Sequence, residues 1–383
     1  MTTAVGAAPE AIRFDRWELG AAFADLGVLI PIAVALIVRN GLSPTAVLLP
    51  AGLLYLGAAC LYRLPIPVQP LKAFGAIAIA QGLGVEEIAA GALLLGAIFV
   101  VLGTSGLVDA AARIFPRQLV RGVQLTVGLL FLEIAWGLVA DPPPAFSTHG
   151  LSSTWLIVLA LVVVASLLVR RRIPIALVLV VAGGAVVAAT AQGAPELGPS
   201  TLGFPPLDAS AFSTALVALV LPQLPLSFAN SCLATADAAR TYFGERAGRV
   251  RAGRLATSLG VANLFGGAIG GMPVCHGAGG LTAHYSFGAR TAGAPLLIGT
   301  TLVGAALLLG AGLAPLLAAF PLSILAGLLA GAGLLHIGLL RDLQGRQLLG
   351  AVGVGLLGFA TNIALALLVA LVFLGAARTL RRH

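Results

Sequence analysis

Charge is what this chain has least of. Asp, Glu, Lys and Arg together make up 9% of its 383 residues, against about 25% in soluble globular domains. That excludes a water-soluble fold. Lysine is nearly missing: Lys72 is the only one, and every other strongly basic side chain is arginine. Cysteine is scarce too. Cys60, Cys232 and Cys275 are an odd number in apolar surroundings and indicate neither a disulfide framework nor a zinc site. There is no phosphate-cradling G-x-x-x-x-G-K-[S/T] loop, so ATP does not drive this chain directly. No set of carboxylates or histidines has catalytic spacing, which argues against an enzyme, and no cofactor or metal is expected. No polar stretch is long enough for a signalling domain, which argues against a sensor.

What the chain has instead is apolar sequence. Hydrophobic residues reach 59% and mean hydropathy is +1.05. Runs of about 17–25 apolar residues recur from Trp17 onward, each long enough to cross a hydrocarbon core of roughly 30 Å. They are continuous rather than alternating, which excludes a β-barrel. The expected fold class is an all-α polytopic membrane protein with 14 transmembrane segments. These are read at 17–38, 45–62, 68–82, 85–107, 117–139, 153–169, 174–191, 212–235, 256–270, 274–288, 293–312, 317–337, 345–359 and 361–377. Segments 3 and 10 (68–82 and 274–288) are short and rich in small residues. The last two are also short and read as a tilted or re-entrant hairpin. Residues 1–16 are polar and lead straight into a span, so no cleavable signal peptide is expected.

The net charge of +8 does not indicate nucleic acid, because it is sorted by loop. With the N-terminus in the cytoplasm, the inner segments hold nearly all the arginines. The outer loops hold Arg39 as their only arginine, together with Glu86, Glu87, Asp141, Glu196 and Asp208. Both termini are therefore expected inside, in the plasma membrane.

Two pairs of matching stretches reveal an internal repeat. "PIPVQP" (65–70) matches "GMPVCH" (271–276), with Pro67-Val68 and Pro273-Val274 lying 206 positions apart. "FPRQLVRGVQLTVGLL" (115–130) matches "FPLSILAGLLAGAGLL" (320–335) at an offset of 205, with Gly122 on Gly327 and Gly128 on Gly333. Seven segments separate equivalent positions, and an odd number flips orientation. The chain thus reads as a first inverted repeat (1–192), a Pro/Gly-rich connection (193–211) and a second inverted repeat (212–383). Inverted repeats with short broken segments point to a secondary transporter.

Proline fits the first turn of a helix, where its missing N–H breaks no bond. Extended chain through Pro65–Pro70 and after Pro273 would then feed two half-helices whose N-termini face each other. Each presents unpaired N–H groups and about half a positive charge, which together make an anion site. Lys72 falls in the first turn of one, where a cation costs about 0.3–1 kcal/mol against the dipole. Two readings stand: an anion offsets that cost, or Lys72 snorkels to the interface near Arg63. The expected substrate contacts are Gln69, Lys72, Gln223, Asn230, Cys275, His276 and Gly277. Cys275 serves there as a small packing residue, and His276 either donates to the anion or caps the helix start. Asp25 is a coupling or structural carboxylate. Glu133 and Gln124 read as interhelical glue.

The blocks "ADLGVLIPIAVAL" (24–36), "PIPVQPLKAFGAIA" (65–78), "LPQLPLSFANS" (221–231) and "MPVCHGAGGLTAHYSFGAR" (272–290) resemble the MOT1-type molybdate transporter family, a relative of the SulP/SLC26 anion transporters. The resemblance spans nearly the whole chain. It implies the seven-plus-seven inverted-repeat fold of the uracil and SulP transporters. A core domain (segments 1–4 and 8–11) would move against a gate domain (segments 5–7 and 12–14). It also implies molybdate import by alternating access within a lipid bilayer, with sulfate or another small oxyanion as the alternative; a homodimer is left open. A coupling proton or cation is left open. The chain departs from typical SulP members in ending at His383, with no STAS domain after the last span. Asn230 and Gly279 stand where proton-coupled nucleobase relatives carry carboxylates, which disfavours a nucleobase substrate.

Overall fold

The computed structural model describes residues 11–23, 26–108, 110, 116–168, 175–190 and 194–380. Asp25, Arg113, Arg170–Arg172, Arg381 and Arg382 lie outside them. Among the described residues, helices lie over every expected segment, joined by two short strands. Six helical stretches are long and apolar enough to cross a bilayer by length and composition, or seven if one bent pair counts as a single span. Shorter apolar helices fill the other places.

The first expected segment is broken into α1 (Arg16–Ala22) and α2 (Leu26–Val38). Asp15 caps α1 by accepting from the Trp17 and Glu18 backbones. α3 (Pro44–Tyr62) has Pro44 in its first turn and ends on Arg63, a left-handed residue at φ 56° that turns the chain into the proline run. Strand β1 (Gln69–Pro70) and half-helix α4 (Lys72–Gln81) follow, then α5 (Val85–Ser105), α6 (Arg117–Ala140), α7 (Ser153–Leu168) and α8 (Ile175–Thr190).

The second half opens with α9, helical over 209–243 and longer than expected, with π-helical turns at Leu216–Val220 and Ser227–Ala234. Pro222 and Pro225 lie inside it. Each removes an N–H and crowds a carbonyl one turn back, which loosens the ladder. α10 (Ala252–Ala268), strand β2 (Val274–Cys275), half-helix α11 (Ala278–Ser286) and α12 (Gly293–Leu308) come next. The structure then departs from the expected boundaries. α12 stops at a 97° bend into a separate helix, α13 (Gly310–Ala318), so the twelfth segment starts only at α14 (Leu322–Gly338). Gly310 makes the corner possible, because a Cβ there would fall 2.1 Å from Thr45 Oγ1. α15 (Gly345–Ala360) and α16 (Ile363–Leu380) form the expected final hairpin.

Close packing centres on glycine pairs. α5 meets α10 where a Cβ on either Gly96 or Gly260 would lie 2.9 Å from the other's carbonyl, and Gly52 of α3 and Gly299 of α12 meet similarly at 3.0 Å. Gly128 of α6 and Gly333 of α14, the pair matched in the sequence, press directly on each other. The strands do likewise: β1 and β2 pair antiparallel with Gln69 opposite Cys275, 206 positions on. Equivalent residues touch each other only across a two-fold axis. The antiparallel pairing sends α4 and α11 away from it in opposite directions.

One buried carboxylate secures the chain's start. Glu18 is 1% exposed. Its Oε1 accepts from the backbone N–H groups of Arg290 and Thr291 and from the Thr291 hydroxyl, and its Oε2 accepts from the Ala294 N–H. It neutralises the N-terminal end of α12.

Candidate anion site

The site is built on chain poor in hydrogen-bond donors of its own. Pro65, Pro67 and Pro70 have no N–H, so the extended segment offers carbonyls that need donors at membrane depth. Two buried histidines of the opposite repeat supply them: His276 Nδ1 donates to Pro67 O (2.9 Å) and His284 Nδ1 to Pro65 O (3.0 Å). A carbonyl only accepts, so Nδ1 of His276 carries the proton and Nε2 is the acceptor. Ser258 Oγ lies 2.9 Å from that Nε2 and is joined in turn to Tyr62 Oη at 2.7 Å. Asn263 clasps Val274 from both sides, accepting from its N–H and donating to its carbonyl.

On this frame the two half-helices begin. Leu71 N–H donates to Pro273 O across the strand pair. In the first turn of α4, Phe74 N–H donates to Gln223 Oε1 (3.1 Å), and Gln223 Nε2 donates to Ser227 Oγ. Lys72 folds back over the helix start, and its Nζ donates to Gln69 Oε1 at 2.6 Å. Gly277, just ahead of α11, lies against the same group: a Cβ there would fall 2.5 Å from Gln69 Oε1 and 3.5 Å from Asn230 Nδ2. Asn230 stands in the second π-helical stretch of α9, where its carbonyl accepts from Thr235 Oγ1.

The structure therefore brings Gln69, Lys72, Asn230 and Gly277 together between the half-helix starts, with Gln223 capping one of them. Lys72 lies at the helix start, paired with Gln69. Cys275 is buried in β2 opposite Gln69. His276 is fully buried with both ring nitrogens engaged by protein. It holds the strand, and the expectation of a donated bond to an anion is corrected accordingly. Asp25 falls outside the described residues. Glu133 is not interhelical glue. Among the described residues its side chain has no hydrogen-bond or ion-pair partner, and it is exposed to a cavity of about 490 Å³ where α4, α6, α9 and the α15–α16 corner meet. Gln124 is not interhelical glue either: its Oε1 accepts from Arg121 on its own helix. Sequence reading missed His284 and Glu18, both polar groups inside apolar segments, a signal that was available.

Two facing half-helix starts with a cation and amide groups between them describe an anion carrier, and comparison with known proteins agrees. The family model described as "Molybdate transporter of MFS superfamily" matches residues 17–131 and 215–335. The chain belongs to this family. Molybdate transporter 1 of Arabidopsis thaliana is 31% identical over 358 residues, 82% of this chain and 78% of that protein. Molybdate transporter 2 of the same plant is 30% identical, over 83% and 77%. Solved structures share the fold. The transmembrane domain of the cyanobacterial bicarbonate transporter BicA superposes with a TM-score of 0.64 at 17% identity, over 95% of this chain and 98% of that one. The murine anion transporter Slc26a9 gives 0.67 at 14% identity, over 97% and 69%. The chain is thus a multi-pass integral membrane transporter with the fold of the SulP transmembrane domains.

Proposed function

We propose that this molybdate transporter family member imports molybdate by alternating access, with the oxyanion held between the N-termini of α4 and α11. The observation that carries this is the convergence of Lys72, Gln69 and Asn230 on side-chain-free Gly277 at the two helix starts. Molybdate carries two negative charges, and two helix dipoles plus one ammonium match them. Amide donors would fix its orientation, with Gln69 turning its NH₂ end to the anion once Lys72 releases its oxygen. Helices 1–5 and 9–12, which carry the site, form the core that slides against a gate of α6–α8 and α14–α16. The termini lie in the cytoplasm and the protein resides in the plasma membrane, alone or as a homodimer. The relatives' molybdate names support this substrate over sulfate.

The test is molybdate uptake, detected by mass, into vesicles holding the purified chain. Lys72→Ala removes one charge-assisted contact and is expected to weaken apparent affinity about tenfold to a hundredfold. Unchanged affinity and rate would remove Lys72 from the site. Competition that favours sulfate over molybdate and tungstate would establish the sulfate alternative.

A further inference from the structure

We propose that Glu133 is the proton-carrying residue of the transport cycle. The inference rests on the reading of the chain as an importer of a dianion. Such an importer works against an inside-negative potential, and a proton entering with the cargo offsets part of that cost. The carboxylates of the described residues narrow the choice. Asp15, Glu86, Glu87, Asp141, Glu196, Asp208, Glu245 and Asp342 lie in loops or at helix ends, and Asp237 is exposed in the last two turns of α9. Glu18 is inside a span, but four donors already hold it in place as a helix cap. Glu133 stands in the long spanning helix α6, more than a turn from either end, with its carboxylate unpaired among the described residues and lining a cavity between helices.

That cavity lies between elements assigned to different moving parts. Ile77 and Gln81 of α4 and Pro222 of α9 form one wall, Glu133 of α6 and Phe359 of α15 the other. When the walls close, water leaves, and a charged carboxylate there becomes costly. A proton relieves the cost. It comes from the water of the open cavity, travels on a carboxylate oxygen of Glu133 and leaves to water on the opposite face.

The charged and titratable groups around α6 are few. Arg39 lines the same cavity without forming an ion pair with Glu133. His336 of α14 packs edge-on against Phe131 and donates from Nδ1 to Ala332 O. Lys72 begins α4. Arg117 and Arg121 are bound to Asp342 toward the far end of α6. None of these occupies the Glu133 carboxylate.

The test uses the full chain in vesicles with a pH dye inside. Wild type is expected to acidify the lumen when molybdate is added outside. Its uptake should rise with external acidity, at most about tenfold per pH unit for one proton site. Glu133→Gln is expected to lose molybdate-driven acidification and to flatten the pH profile, and Glu133→Asp to restore both. Acidification persisting in Glu133→Gln would overturn the proposal, as would a variant that slows anion and proton entry in equal proportion with the wild-type pH profile. Wild type that takes up molybdate without protons would overturn it while leaving the molybdate reading intact. Wild type that takes up no molybdate at all would bring down both.

Discussion

At the residue scale, the polar groups divide into those that hold backbone and those that gather at the half-helix starts. His276, His284, Asn263 and Glu18 all hold backbone. Lys72, Gln69 and Asn230 gather where Gly277 leaves room. A methyl group at 277 meets the tip of the Gln69 side chain closely and Asn230 Nδ2 at ordinary contact distance, so the fold can accommodate it by swinging the Gln69 amide away from Lys72. Gly277→Ala is therefore expected to give a protein that melts within about 1 kcal/mol of wild type but transports at least about tenfold more slowly. Thermal unfolding in detergent beside vesicle uptake checks both halves. A variant that transports normally would show that Gln69 is dispensable.

At the element scale, helices approach through glycine. Gly128 and Gly333 are each other's obstacle: a Cβ on Gly128 falls 2.8 Å from the Gly333 carbonyl, and one on Gly333 falls 2.7 Å from the Gly128 carbonyl. Gly128→Ala and Gly333→Ala should each destabilise by about 1–3 kcal/mol. The double variant should cost less than their sum, because the first substitution already separates α6 from α14. Strict additivity in denaturation midpoints would contradict the contact. This scale also shows what could be read beforehand. Proline placement located both half-helix starts, and the shared offset of Pro67-Val68 and Gly128 with their partners exposed the repeat. These are local signals. The 97° bend after α12 was not legible, because it depends on how Gly310 meets distant Thr45, whereas Pro222 and Pro225 signalled a loosened α9 without saying that its turns would be π-helical. The role of His276 was hidden for the same reason: its partner carbonyl is 209 residues away, and a histidine near an expected anion site looks the same in sequence whether it binds or braces.

For the whole molecule, the charge sorting of the sequence carries an expectation about sidedness that can be tested on the fold. The turn holding Ser147 follows α6, and Gln344 precedes α15. With both termini in the cytoplasm, these loops lie on opposite faces of the membrane. In a background free of the three native cysteines, Ser147→Cys should react with an impermeant thiol reagent from outside intact cells, and Gln344→Cys only after the membrane is opened. Labelling of both from one side would undo the topology. The energy of transport also belongs to this scale: moving a dianion inward costs about 2.3 kcal/mol per charge for each 100 mV of inside-negative potential. Side-chain contacts at the site do not remove that cost, and under the proposal above a proton carried by Glu133 would offset part of it.

The contact of Gln69 with Cys275, and of Gly128 with Gly333, has a consequence for descent. Such contacts are what two copies of a half-length chain, inserted in opposite senses, would make with each other. In that ancestral pair every mutation would appear twice, so a lysine at a helix start would face a second lysine and the site would carry two ammonium groups. In one continuous chain the two positions are free of each other. Lys72 now faces a helix that opens on Ala278, its counterpart 206 positions later, and the opposite repeat has turned His276 into a brace. Within one chain the two helix starts can differ, so the proposed dianion site can carry a single lysine at its edge.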